Sequence, residues 1–261
     1  MVRMDTKSNK DEEFKKQAAL KAKKVIDEWQ PDIVVASDDN ASKYLIVPYF
    51  KDSKLPFVFC GVNYSAAEYG FPASNITGMI EVSPNPQVLK SLRKYAKGER
   101  IGYMGANVLT GQKEFEWLSQ KEGIKFSSVK LVNTFAEWKA AYLELQKTVD
   151  MLLMVNPVSV KGWDHEEALK FIFEHTEIPS GTTLLHATPY TLLGYVRIAG
   201  EQGWWAGKAA LKILHGTPPT QIPLAQNKSS RVYLNMKLAK KLNIKFPMDL
   251  IKDATFIKGE D

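Results

Sequence analysis

Cysteine and histidine are scarce in this chain of 261 residues. The single cysteine, Cys60, excludes an internal disulfide framework and a zinc site built on cysteines. The four histidines are scattered, without the spacing of metal ligands. Neither a Gly-x-Gly-x-x-Gly motif nor a P-loop is present, so the sequence predicts no metal site and no nucleotide cofactor.

Long apolar runs and blocks of like charge are also missing. No apolar run approaches the ~20 residues that span a bilayer, and residues 1–12 lack the apolar centre of a signal peptide. The net charge is +6, from 35 Lys and Arg against 29 Asp and Glu. Basic residues such as those of 21–24 recur at helical spacing, which is typical of a solvated helix face, so no nucleic-acid partner is predicted.

What the sequence does contain is a regular alternation of apolar patterns. Strands are predicted near 32–36, 56–60, 75–80, 100–104, 125–132, 150–155, 178–183 and 231–234. Helices are predicted over 11–30, 84–97, 111–121, 199–215 and 236–242, and from residues 40, 134 and 164 onward. This alternation indicates an α/β fold of right-handed βαβ units with parallel sheets covered on both faces.

The pattern starts again after Gly98, which gives more strands than one sheet comfortably holds. The sequence therefore predicts two doubly wound lobes with a hinge and a cleft between them. Residues 1–97 and about 198–222 form lobe one in this interpretation. Residues 98–197 and about 223–261 form lobe two.

Six segments carry a resemblance that extends from about residue 4 to residue 247. They are 31–36, 55–62, 74–78, 209–219, 222–224 and 234–242. In order and spacing they resemble the ABC-transporter substrate-binding-protein family with a type I periplasmic-binding fold. That family includes binders of aromatic amino acids and extracytoplasmic sensor modules.

The resemblance implies a protein that is not an enzyme and needs no cofactor. Such a protein captures a small molecule, an amino acid or similar polar solute, by hinge closure in the interlobe cleft. Its partner is an ABC permease or a membrane signalling domain, and its location is extracytoplasmic. Two alternatives are an enzyme on a flavodoxin-like scaffold and the effector domain of a transcriptional regulator.

The chain departs from the family pattern at its start. The first strand and helix of lobe one are expected to be missing, through truncation or because a neighbour supplies them, and the absent strand is expected inside the sheet. We expect this lobe to be poorly stable alone, so that restored upstream residues raise the melting temperature. A second departure is Asp38-Asp39, where many relatives hold a carboxylate; these charges favour a ligand with hydroxyls or a cationic group on that side.

Ligands of parallel α/β folds bind beyond the carboxyl ends of the strands. The loops predicted there supply small residues, amides and hydroxyls: Ser37, Asp38, Asp39, Asn40, Gly61, Asn63, Tyr64, Asn107, Asn156 and Thr183. Trp163 is expected at the cleft mouth, and Tyr195 and Arg197 near the return crossing on the cleft floor.

Each candidate also has a purely structural interpretation. One of Asp38 and Asp39 caps a helix, Asn63 and Asn156 suit turns, and Tyr64 packs. Arg197 suits a surface ion pair, and packing is the default for Trp204 and Trp205. No Gly-x-Ser-x-Gly elbow accompanies any serine, and Cys60 in a buried strand is typical of an inert side chain.

Overall fold

The structure is a computed structural model that describes residues 1–6, 9 and 11–257, without the side chains of residues 109, 110 and 113. The strands are β1 (Val34–Ser37), β2 (Phe57–Asn63), β3 (Ile76–Glu81), β4 (Ile101–Ala106), β5 (Ser128–Val132), β6 (Met151–Val155), β7 (Ser180–Thr182), β8 (Leu193–Arg197), β9 (Ala225–Gln226), β10 (Ser230–Leu234) and β11 (Thr255–Phe256). The helices are α1 (Glu12–Trp29), α2 (Asp39–Ala41), α3 (Val47–Tyr49), α4 (Asn85–Leu92), α5 (Leu109–Gln120), α6 (Phe135–Thr148), α7 (His165–His175), α8 (Ala199–Leu214), α9 (Met236–Lys241) and α10 (Met248–Lys252).

The chain divides into two compact units and passes between them three times. Unit 1 comprises Met1–Val82 and Ile198–Ser229, and unit 2 comprises Ser83–Arg197 and Ser230–Asp261. Residues 83–97 therefore lie in unit 2 and not in the first lobe as predicted, because α4 packs on β6, β7 and β8. Residues 223–229 lie in unit 1, since β9 pairs with β3.

Unit 1 is built on a parallel sheet in the order β1-β2-β3-β9. Side chains alternate along β2, so Phe57 and Phe59 join the cluster that contains Ala19 and Ala22 of α1. Val58, on the opposite face, packs with the alanines of α8. β1 pairs directly with β2 and lies at the sheet edge.

Unit 2 holds a larger sheet in the order β11-β10-β8-β7-β6-β4-β5. All neighbours are parallel except β8 and β10, which pair antiparallel over Arg197–Leu193 and Ser230–Leu234. This antiparallel pair joins β8 to the segment that enters the unit after the third passage. β4 and β6 are buried along their whole lengths between helices on both faces, as parallel strands require.

Candidate functional site

The two aspartates at the carboxyl end of β1 have different roles. Asp38 is the N-cap of α2, where its Oδ1 accepts a hydrogen bond from Asp39 N at 2.8 Å. The Asp39 carboxylate accepts from three donors of unit 1: Asn63 N at 3.3 Å, Asn63 Nδ2 at 2.6 Å and the Tyr69 hydroxyl at 2.8 Å. Burial, together with this bond to Asp39, raises the pKa of Tyr69 far above its usual range. Asp39 therefore ties the ends of β1 and β2 together.

Gly61 brings bare backbone to this same end of the sheet. It has φ +70° at a bulge in β2, and its N–H donates to Gln202 Oε1 at 3.0 Å. A Cβ at Gly61 would lie 3.4 Å from Ser37 Oγ and 3.8 Å from Glu81 Oε2. The Ser37 hydroxyl and the Glu81 carboxylate thus lie close to the main chain of Gly61.

Two residues that flank this region adopt backbone conformations that only glycine adopts easily. Asp38 has φ +82° with ψ 158°, and Tyr64 has φ +59°. Such conformations are uncommon for side-chain-bearing residues and cluster at functional sites. Tyr64 N donates to Glu81 O at 2.9 Å, and Asn40 Nδ2 donates to Thr6 Oγ1 at 3.0 Å. The structure therefore brings all seven predicted residues of unit 1 to the carboxyl ends of β1 and β2.

In unit 2 the predicted asparagines follow two neighbouring strands, β4 and β6. Asn107 Nδ2 donates to Asn133 Oδ1 at 3.2 Å, and its Oδ1 accepts from Gln112 Nε2 at 2.8 Å. Asn156 has φ +41° and accepts a hydrogen bond from Ser159 Oγ at 2.9 Å. Both side chains are oriented by local bonds at the same sheet end.

Trp163 is held in an aromatic cluster. Its indole lies edge-on to Phe135, Trp138 and Tyr190 at 5.0–5.1 Å between ring centroids. Its Nε1–H donates to the Tyr190 hydroxyl at 3.3 Å, and that hydroxyl also bonds His165 Nδ1. Burial raises the pKa of Tyr190. The half-buried Trp163 is therefore a rigid surface, consistent with a wall of a binding site.

Thr183 directly follows β7, and Tyr195 lies in the adjacent β8 at the same level, since Thr182 pairs with Gly194 in the parallel register of the two strands. The Tyr195 hydroxyl lies 2.7 Å from Ser91 Oγ, which anchors it to α4. Thr183 is 3% exposed, and its Oγ1 has no hydrogen-bond partner among the described residues. A buried hydroxyl of this kind is rare in folded proteins.

The two tryptophans of α8 and the cysteine of β2 have structural surroundings of their own. Trp204 is 62% exposed, with Lys208 Nζ 3.7 Å from its ring centroid, so the default expectation that it is packed is wrong. Trp205 does pack beside the α8 alanines. Cys60 is buried, and burial raises the pKa of its thiol. In the described parts of the chain, no three His, Cys, Asp or Glu side chains are placed to hold a metal ion.

Sequence reasoning missed the residues that organise the site from a distance. Tyr69, Gln202 and Tyr190 bond to predicted residues 30, 141 and 27 positions away in the chain. No local spacing links such partners, so only the tertiary structure reveals them.

One protein family and several solved structures are similar to this chain. Residues 2–258 match the family model of ABC transporter substrate binding proteins. A substrate-binding protein with adhesive properties from Clostridium difficile, in a ligand-free, open form, is similar at 18% identity and a TM-score of 0.72, over 94% of this chain and 83% of that one. A Streptococcus pneumoniae ABC domain in complex with L-Trp is similar at 19% identity and a TM-score of 0.54, over 92% and 83% of the two chains. No curated protein sequence matches the chain.

Among the described residues, no helix is both long enough and apolar enough to cross a bilayer.

Proposed function

Since the chain belongs to the family of ABC transporter substrate-binding proteins, we propose that it captures a small polar molecule in a cleft between its two units and closes around it at the three chain passages. Closure follows if the ligand binds the closed form more tightly than the open form. The ligand leaves chemically unchanged, and the closed form delivers it to an ABC permease outside the cytoplasm.

The observation that carries this proposal is the Thr183 hydroxyl. Its Oγ1 is buried at the carboxyl end of β7 and lacks a partner among the described residues. A buried hydroxyl without a hydrogen bond costs about 1–3 kcal/mol, and a bound molecule that supplies the partner would recover this free energy. The asparagines 107 and 156 lie at the same sheet end, already oriented.

Unit 1 supports the same function in a different way. Its candidate residues are ordered without ligand, because the Asp39 carboxylate accepts hydrogen bonds from Asn63 and Tyr69, and Gln202 accepts one from the Gly61 N–H. Preorganisation of this kind lowers the entropic cost of binding.

A ligand screen by thermal shift tests the proposal directly. The panel contains amino acids with L-Trp first, purines, sugars and polyamines, and calorimetry follows for each hit. A ligand at 100 times its Kd stabilises the protein by about 2.7 kcal/mol and raises the melting temperature. Asn156→Ala is expected to abolish the shift. A panel without any stabilising compound contradicts the proposed function.

Thr183→Val tests whether the Thr183 hydroxyl contributes to ligand binding. The methyl group removes an unpartnered hydroxyl, so we expect equal or slightly higher stability without ligand and about tenfold weaker ligand binding. Thr176→Val is the matched control, because Thr176 Oγ1 donates to Ile172 O at 2.6 Å and lies 2.8 Å from the Tyr142 hydroxyl. That variant should lose stability and keep its ligand affinity. If both variants bind ligand like the wild type, Thr183 has no role in binding.

A further inference from the structure

The three chain passages between the units meet unit 1 at Val82, Ile198 and Ser229. The second and third passages run side by side. Inside unit 2, Arg197 and Ser230 form a pair of the antiparallel strands β8 and β10. Inside unit 1, Ile198 N donates to Ser229 O at 3.3 Å. These two passages therefore form a continuous two-stranded segment, which we call the passage ribbon.

A carboxylate reinforces the passage ribbon on its unit 1 side. Glu201, in the first turn of α8, accepts hydrogen bonds from Lys228 N at 3.0 Å and from Ser229 N at 2.8 Å. Hydrogen bonds to a charged acceptor are stronger than those between neutral groups. The second and third passages are therefore held together at the boundary of unit 1.

The Asn227 side chain joins the first passage to the passage ribbon. Its Oδ1 accepts a hydrogen bond from Val82 N at 2.7 Å, and its Nδ2 donates to Val82 O at 3.1 Å. Asn227 is 9% exposed and lies two residues before Ser229. A primary amide presents the same kinds of donor and acceptor as a peptide group, so Asn227 binds Val82 as a neighbouring strand would.

An amide side chain is needed here because the main chain changes direction. β9 pairs in parallel with β3 as far as Gln226, opposite Ile80, and Asn227 N donates to Ile80 O at 3.4 Å. The chain then enters β10, which belongs to the other sheet. The parallel ladder therefore ends at this point, and the Asn227 side chain extends it to Val82, the last residue of unit 1 before the first passage.

We propose that Asn227 is a positioning residue for closure, because it couples the first passage to the passage ribbon so that all three passages bend together as one hinge. The inference rests on the proposed function, in which the units close around a ligand. Without the coupling, the first passage bends independently of the ribbon, and the ligand-free protein samples more arrangements of its units. Closing from a broader set of arrangements costs more conformational entropy, so the coupling favours closure.

Asn227→Leu and a matched control, Asn75→Leu, test the inference on the full chain without ligand. Asn75 is also buried in unit 1, and its amide also bonds main-chain groups: Phe50 O at 2.9 Å, Leu55 O at 2.6 Å and Asp52 N at 2.8 Å. None of these groups belongs to a passage. Both variants should lose folding stability, so stability alone does not distinguish a hinge role from a structural one.

The spread of distances between the units does distinguish the two variants. Spin labels at Lys24→Cys of α1 and Lys170→Cys of α7, whose native side chains are 76% and 77% exposed, report it by pulsed electron paramagnetic resonance in a Cys60→Ala background. Asn227→Leu should widen the distance distribution by at least about 1.5-fold, whereas Asn75→Leu should keep the width of the parent protein. If Asn227→Leu widens it no more than Asn75→Leu does, the inference is overturned.

Asn227→Asp decides the matter if Asn227→Leu does not fold. Aspartate keeps an acceptor for Val82 N but places a second oxygen against Val82 O, so one of the two bonds is lost. The distribution should again widen, and an unchanged width overturns the inference. Because no ligand takes part, this result is independent of the ligand screen, so failure of the hinge role and failure of the proposed function are separate outcomes.

Discussion

The two units differ in how the polar groups near their strand ends are hydrogen-bonded. At the strand ends of unit 1, the Asp39 carboxylate is bonded by three donors, and the Gly61 N–H is taken by Gln202. At those of unit 2, the side chains of Asn85 and Thr183 retain buried atoms without partners among the described residues. At these strand ends, the polar groups of unit 1 are paired within the unit, whereas unit 2 leaves buried polar atoms of Asn85 and Thr183 without a partner among the described residues.

The largest effect is expected from Asp39→Ala. The substitution leaves Asn63 N, Asn63 Nδ2 and the Tyr69 hydroxyl without their acceptor, so unfolding free energy should fall by about 2–4 kcal/mol in denaturant titrations. Asp32→Ala, at an exposed residue before β1, is the control and should change stability by less than about 0.5 kcal/mol. A small effect at Asp39 would show that unit 1 is not organised by this carboxylate.

The backbone conformation at Asp38 predicts an unusual order of stability for two variants. Asp38→Ala and Asp38→Gly both lose the cap, but only glycine relieves the strain of φ +82° with ψ 158°. Glycine should therefore be more stable than alanine by about 1–2 kcal/mol, measured by thermal denaturation. Equal stabilities would mean that no strain is stored at this end of unit 1.

Trp163→Phe probes the aromatic cluster of unit 2. Phenylalanine retains a ring in the aromatic cluster but loses the Nε1–H that donates to the Tyr190 hydroxyl. A loss of about 1 kcal/mol in unfolding free energy is expected. A larger loss would show that packing against Phe135 and Trp138 dominates.

The smallest effect concerns alkaline pH. Burial, then the bond to Asp39, raises the pKa of Tyr69 above its unfolded value near 10, and burial also raises that of Tyr142. The unfolded state therefore loses protons first, and stability decreases as pH rises above about 10. Tyr69→Phe should weaken this decrease in alkaline titrations monitored by circular dichroism. An unchanged slope would exclude Tyr69 as its source.

Much of the fold could be predicted from local patterns. Asp164 caps α7 as expected, and most of the helices and parallel strands fall near their predicted ranges. The local pattern does not predict β8, because Leu193, Gly194 and Tyr195 form neither an apolar run nor a clear alternation. The sequence places α4 in the first lobe, whereas it lies in unit 2, since the apolar face of a helix does not specify which sheet it covers.

The α/β class and the loops that carry the candidate residues follow from local patterns, because periodicity, caps and turn residues act over a few positions. The family follows from the resemblance of six ordered segments. Only the tertiary structure decided that Asp38 caps while Asp39 is bonded by three donors, and that Asn85 and Thr183 keep unpartnered atoms. The physical reason is that hydrogen-bond satisfaction of a buried group depends on which distant segments pack around it.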